Sequence, residues 1–300
     1  MGLMMNGVYH VEDFAPSTDE AGRFQRSRST VRHAIPDDLA AGDLHLFAAW
    51  NCPWAHRALL ARAELGLLEI GVSYALPRRT DQGWVFDEEP LLGAAAMHEV
   101  YAAGVDGYTG RVTVPVLWDK QAGRALNNES ADIVRQIGER FAPGRLYPAD
   151  RAEAIEGWNA EIYETVNNGV YRAGFATTQA AYEDAARDVF ATLDRIETVL
   201  SGQRYLTGEA VTEADLRLFP TLARFDVAYY GAFKCNLRRL VDYPHLWAYA
   251  RDLYQRPGWA DTVRFDVYKT GYYSPSPNRN PLGIVPIGPE IDWTAPHGRG

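Results

Sequence analysis

The sequence predicts an α/β domain followed by an all-helical one. Between residues 44 and 141, short β-rich runs alternate with helical periodicity in the order βαβ, then ββα. From about residue 149 to 264 the strand signals stop and apolar residues recur at helical spacing. A chain of 300 residues with 47% hydrophobic and 23% charged content is long enough for two cores, and its composition is that of a folded protein. The expected boundaries are an extension over 1–42, the α/β domain over 43–143, the helical domain over 149–266 and a second extension over 267–300.

Each element has its own signal. Residues 1–42 mix charge, Gly, Pro and aromatics without a sustained period, which predicts an extension that orders on contact. Leu44, Leu46 and Phe47 to Trp50 suit a buried strand. Asn51-Cys52-Pro53-Trp54 follows, and Pro53 has its φ preset for the first position of a helix. Trp54, Ala58, Ala61 and Leu65 keep helical spacing, and Gly66 provides a left-handed stop. Val72 to Leu76 predicts a second strand. Val112 to Trp118 predicts a third, with Pro115 inside it, so an edge, a bulge or a cis bond is expected there. Residues 119–123 read as a hairpin connection back to a short strand at Ala125-Leu126. Asn128 or Ser130 then caps a helix whose inner face is Ile133, Val134, Ile137 and Phe141. In the helical half, Tyr182, Ala186, Val189, Leu193, Ile196 and Leu200 form one apolar stripe. Thr212-Glu213-Ala214-Asp215 has the form of a helix N-terminal capping box. The tail from Ser274 is rich in Pro, Gly and Asn and is expected to run extended over the surface.

Composition excludes several function classes. Thirty Lys plus Arg against thirty-nine Asp plus Glu give a net charge of −9, which opposes non-specific attraction to nucleic acid or anionic membrane. No run approaches the ~18 apolar residues of a membrane helix, and a cytoplasmic protein is expected. The two cysteines, Cys52 and Cys235, are far apart, in no metal-ligand spacing and too few for a disulfide scaffold. His98-Glu99 has no second His at the spacing a His-Glu-x-x-His zinc motif demands, and no metal is expected.

The chemistry points first to Cys52. It falls between a strand and a helix beginning at Pro53, where unpaired N–H groups favour a thiolate, and His56 and Arg57 lie in the same first turn. Position 55 is Ala. With no second thiol two residues downstream, Cys52 cannot close an internal disulfide and needs an external thiol to finish a redox cycle. The second feature is Val114-Pro115 with Asn128-Glu129-Ser130. A cis Val114-Pro115 bond would offer the Val114 backbone for pairing with a small peptide. Glu129 and Ser130 at a helix start offer an acceptor for an amine and donors for a carboxylate, as a γ-glutamyl peptide requires. Cys235 reads as packing.

Several stretches carry a family resemblance: Asn51 to Arg57, Tyr108 to Asp119, Asn127 to Ser130, Thr212 to Phe219, Phe233 to Asn236 and Gly283 to Pro289. In this order, from about residue 22 to 289, they resemble the xi class of glutathione transferases, the glutathionyl-hydroquinone reductases. The resemblance implies a thioredoxin-like N-terminal domain and a helical-bundle C-terminal domain. It implies glutathione as co-substrate and reductive cleavage of a glutathionyl-hydroquinone, with Cys52 attacking the glutathione sulfur and a second glutathione resolving the mixed disulfide. On matched positions, Trp84, Arg111, Val114, Glu129 and Ser130 would hold glutathione. Tyr171 and a member of the Tyr272-Tyr273 pair, assigned as Tyr273, would meet the quinol oxygen. A homodimer is also implied. One departure stands at Gly271-Tyr-Tyr-Ser-Pro-Ser276, where family members commonly have a His before the tyrosine pair and a Ser-His after it. Two other readings keep the fold: a thiol lyase or reductase acting on another thioether or with another low-molecular-weight thiol, and a non-catalytic binding protein. The signature of the latter would be loss of Cys52 or of Glu129-Ser130, and both are present.

Overall fold

Strand β3, Leu44–Ala49, has all six residues buried, and this fixes it at the centre of a sheet. In the computed structural model of the chain, which describes residues 2–11 and 18–299, the strands lie in the order Gly71–Ala75 (β4), β3, Val116–Asp119 (β6) and Arg124–Asn127 (β7). Residue 1, residues 12–17 of the expected first extension, and residue 300 lie outside the described residues. β4, Gly71–Ala75, runs parallel to β3 after helix α1, Pro53–Glu64. β6, Val116–Asp119, and β7, Arg124–Asn127, complete the sheet as an antiparallel hairpin.

The sheet is covered on both faces because its strands alternate two apolar sets. Leu44 and Leu46 pack with Ala58 of α1 and with Ile133 and Ile137 of α3, Ser130–Phe141. Phe47 and Trp118 instead pack with Met97, Val100 and Tyr101 of α2, Met97–Gly104, a helix with no separate signal in the sequence. Truncating one such fully buried leucine to alanine costs about 2–5 kcal/mol. Helix α1 stops where the sequence predicts, with Gly66 at φ +68 and a closing pair of bonds from Gly66 and Leu67 N–H to the Ala63 and Arg62 carbonyls. β6 starts immediately after the cis Val114–Pro115 bond, because Pro115 has no N–H for the ladder.

Two compact units result, one of residues 2–11 and 26–142, the other of residues 18–25 and 143–299. The expected 1–42 extension is therefore divided between them. β1, Leu3–Met5, pairs with β2, Val8–His10, and with β5, Gly110–Arg111, and Met4 is buried. Val31, Ile35 and Leu39 also fill first-unit core positions. These apolar residues are too scattered to show a period, yet each fills a core position.

The second unit is helical: α4, Ala152–Glu161; α5, Gly169–Gly174; α6, Gln179–Leu200; α7, Glu213–Arg224; α8, Tyr230–Ala232; α9, Pro244–Tyr254; and α10, Phe265–Tyr272. Two π-helical turns, Ile162–Asn167 and Phe225–Tyr229, join α4 to α5 and α7 to α8. The capping box forms at α7. Asp215 is fully buried and its carboxylate accepts from the Thr212 and Leu206 N–H groups and the Tyr249 hydroxyl. The tail departs from a plain surface segment. Leu282, Ile284 and Ile287 are exposed, but Trp293 is buried against Trp247, Tyr254 and Phe265, and Arg299 donates to the carbonyls of Leu200, Gln203 and Arg204.

Candidate active site

The first unit presents Cys52 by backbone geometry. The turn after β3 closes with the Cys52 N–H donating to the Ala49 carbonyl, and Cys52 becomes the N-cap of α1 with extended φ −83 and ψ 117. Its Sγ accepts from the Ala55 N–H at 3.5 Å, the contact a sulfur anion uses at a helix start. The thiol also donates to the Val114 carbonyl at 3.4 Å. Trp50 stacks on Tyr74 at 4.0 Å and Asn51 donates to the Pro77 carbonyl, so both sides of the turn are braced. Cys52 is 8% exposed, enclosed but at a surface turn.

The residues expected to bind glutathione fall into two sets. Val114 and Ser130 join Cys52 through short links, because Val114 O meets the Cys52 sulfur and the buried Arg57 of α1 donates to Ser130 Oγ at 3.3 Å. The Arg57 guanidinium also lies over the Trp54 ring at 4.6 Å, and Arg26 lies over it at 4.7 Å. Arg57 is thus directed to the start of α3 as well as occupying the first turn of α1. Glu129 is the N-cap of α3, its carboxylate accepting from the Ala131 N–H. The sequence pointed to Asn128 or Ser130 for this cap. Asn128 is occupied with the Val31 N–H and the Tyr101 hydroxyl, and Ser130 with Arg57.

Trp84 and Arg111 are placed by other elements of the same unit. Trp84 is buried in the apolar cluster that includes Cys52 and Val114, with the Arg79 guanidinium 4.4 Å over its ring. Arg111 sits half-buried on β5, opposite Leu3 of β1. The extreme N-terminal strand therefore fixes a candidate binding residue more than a hundred positions away, a pairing no local pattern signals.

The second unit gathers tyrosine hydroxyls. Tyr272, at the end of α10, hydrogen-bonds through its hydroxyl to Tyr171 of α5 at 2.8 Å and to Tyr229 of the π-turn at 3.0 Å. Burial pushes the Tyr272 and Tyr229 hydroxyls well above the ordinary phenol value, so both stay protonated at neutral pH. Tyr273, the member assigned from sequence, points elsewhere. Its hydroxyl lies so close to Gly231 that a side chain there would overlap it, with a Cβ 2.1 Å away. The helical phase of α10 explains the choice, since Tyr272 stands one turn after the buried Tyr268 and Tyr273 has rotated off that face. Tyr229 was missed by sequence reasoning, because an aromatic near a helix end reads as packing.

Cys235 is fully buried, and burial pushes its thiol up to about 12. It is a poor nucleophile at neutral pH. Among the described residues no group of three or more His, Cys, Asp or Glu side chains is placed to hold a metal ion, and no helix is long and apolar enough to cross a membrane.

Comparison with known proteins decides the family. The glutathionyl-hydroquinone reductase PcpF of Sphingobium chlorophenolicum is 45% identical over 96% of this chain and 96% of its own. The chain belongs to the xi class of the glutathione transferases. The N-terminal domain model of the glutathione S-transferases matches residues 51–140 and the C-terminal domain model residues 179–252. A xi-class transferase from Natrialba magadii superimposes with a TM-score of 0.90 at 38% identity, covering 100% of this chain and 96% of that one. YqjG of Escherichia coli, solved with glutathione bound, superimposes at 0.83 with 44% identity over 85% of this chain and 88% of its own. For this xi-class chain the matched N-terminal region begins one residue before Cys52 and ends in α3. The matched C-terminal region includes Tyr229 and leaves out Tyr171 and Tyr272.

Proposed function

We propose that this xi-class glutathione transferase is a glutathionyl-hydroquinone reductase with Cys52 as its nucleophile. The observation that carries the proposal is the Cys52 sulfur held at the start of α1, between the Ala55 N–H and the Val114 carbonyl, in a chain 45% identical to a protein of that name. Glutathione is the co-substrate. Its peptide is assigned to Trp84, Arg111, the Val114 backbone, Glu129 and Ser130, and the quinol oxygen to the hydroxyls of Tyr171 and Tyr272.

The chemistry follows from the single thiol. With the ring in its keto tautomer, a proton on the carbon that bears sulfur, the Cys52 thiolate attacks the glutathione sulfur. An S–S bond forms and the C–S bond breaks; the electron pair leaves as a ring enolate whose charge sits on the quinol oxygen. A tyrosine hydroxyl protonates that oxygen and recovers its proton from solvent. Free hydroquinone departs. A second glutathione thiolate then attacks the glutathione sulfur of the mixed disulfide, releasing glutathione disulfide and the Cys52 thiolate. The net reaction reduces the aryl carbon and oxidises two glutathione sulfurs. A homodimer in the cytoplasm, acting on small aromatic thioethers without nucleic-acid or membrane partners, completes the proposal.

The test is to mix the protein with a glutathionyl-hydroquinone, without added glutathione, and locate the adduct by mass spectrometry. One glutathione on Cys52 with free hydroquinone released is expected. An adduct on Cys235, or release without an adduct, overturns the assignment.

A further inference from the structure

We propose that Arg224 is a positioning residue for the quinol end of this reaction, its buried charge enabling the Tyr229–Tyr272–Tyr171 hydroxyl chain to share negative charge while the C–S bond breaks. The inference rests on the function proposed above and deepens it. Arg224 ends α7 and is fully buried, with its guanidinium donating to the Pro220 carbonyl at 2.9 Å and lying 3.8 Å over the Tyr268 ring.

Two helical turns bring this charge to the hydroxyls. The segment after Arg224 is π-helical, its Tyr230 N–H bonding to the Phe225 carbonyl five residues back. In such a turn residues five apart stand one above the other, so Arg224 and Tyr229 share a face. On α10, Tyr268 and Tyr272 are four apart and likewise share a face. The two faces meet pairwise. Arg224 covers Tyr268, while Tyr229 meets Tyr272 edge-to-face with centroids 5.1 Å apart and hydroxyls 3.0 Å apart. The chain then continues from Tyr272 to Tyr171.

The electrostatics point the same way. Burial opposes the Arg224 charge, and negative charge arising on Tyr268, Tyr272, Tyr229 or Tyr171 would offset it. Burial likewise raises Tyr272, while Arg224 pulls it back towards ionisation. In a site screened from water a fixed cation beside a hydrogen-bonded chain stabilises charge developing at its end far more than it would in solvent. π-Helical turns also gather at functional sites. Here the turn is the device that sets Arg224 and Tyr229 on one face.

The experiment compares two reactions of the full-length protein: cleavage of the glutathione conjugate of 1,4-benzohydroquinone, and glutathione-dependent reduction of 2-hydroxyethyl disulfide. The second uses Cys52 but releases no quinol oxygen. Arg224→Met is expected to lower kcat for cleavage by about 30-fold or more while leaving disulfide reduction within about twofold. Arg224→Lys, which keeps the charge, is expected to restore cleavage to within about fivefold of wild type. Equal losses in both reactions, no loss in either, or failure of lysine to rescue would each overturn the proposal, as would failure of both Arg224→Met and Arg224→Gln to fold. Wild-type protein that reduces the disulfide but leaves the conjugate intact would instead remove the function on which the proposal rests.

Discussion

The thiol of the first unit and the hydroxyl cluster of the second are built in opposite ways. Cys52, Val114 and Glu129 are presented by the backbone, each beside a helix start or a proline, where main-chain geometry aims the reacting group. Tyr171, Tyr229 and Tyr272 come from three separate helical segments, and their hydroxyls meet across 101 and 43 residues of sequence. A site made by backbone turns tolerates change in the core behind it as long as the turn persists. One made by converging side chains depends on every helix holding its rotation.

The largest effect expected separates the two thiols. Cys52→Ser should lower hydroquinone release by about 10³-fold or more, because it removes the nucleophile. Cys235→Ala should leave kcat within about twofold and act on stability instead, by about 1–2 kcal/mol. Comparable losses of turnover in the two variants would erase the distinction between a presented and a buried cysteine. Next comes the tyrosine pair. Tyr272→Phe should lower kcat for conjugate cleavage by about 10²-fold, and Tyr273→Phe by no more than about threefold. A larger loss at Tyr273 would mean that helical phase does not govern the cluster.

The smallest effect concerns acid. In the first unit His45 Nε2 lies 2.8 Å from Ser73 Oγ, which donates to Glu89 at 2.7 Å. Burial lowers His45 from 6.5 to about 4. Glu89 is also held below its ordinary value: burial raises it, but the Ser73 hydroxyl and the N–H groups of Leu91, Leu92 and Ala94 together outweigh that. As pH falls below 6.5 the unfolded chain takes up a proton on His45 that the folded one refuses until about 4, and depression of Glu89 acts in the same direction at lower pH. Stability should therefore be full above pH 6.5 and fall by about 2 kcal/mol on approaching pH 4. Hydrogen exchange should show the loss in the first unit. Tyr229 and Tyr272, protonated throughout this range, should add nothing to it, and faster exchange there on acidification would contradict the assignment.

How much was legible follows from how each part is built. The strand, Pro53, the Gly66 stop, Pro115 and the Thr212–Asp215 box were all readable, because each is a local rule of backbone geometry or capping. The amphipathic face of α6 was readable because one helix repeats it over 22 residues. Helix α2 was not separately signalled, since its eight residues are too short to show a period against the loops around it. The first extension hid β1, β2 and core positions such as Val31, Ile35 and Leu39, because isolated apolar residues declare themselves only when something packs on them.

By itself the sequence determined the βαβ-then-ββα order of the central sheet and the helices packed on one side of it, and a cysteine at the head of a helix with no second one two residues on. These depend on neighbours along the chain. Tertiary structure alone decided that Glu129 caps α3, that β1 holds Arg111 in place, and that Tyr272 rather than Tyr273 joins Tyr171. Those outcomes depend on which side chains distant segments bring within about 3 Å, the reach of a hydrogen bond, and no spacing in the sequence encodes that distance.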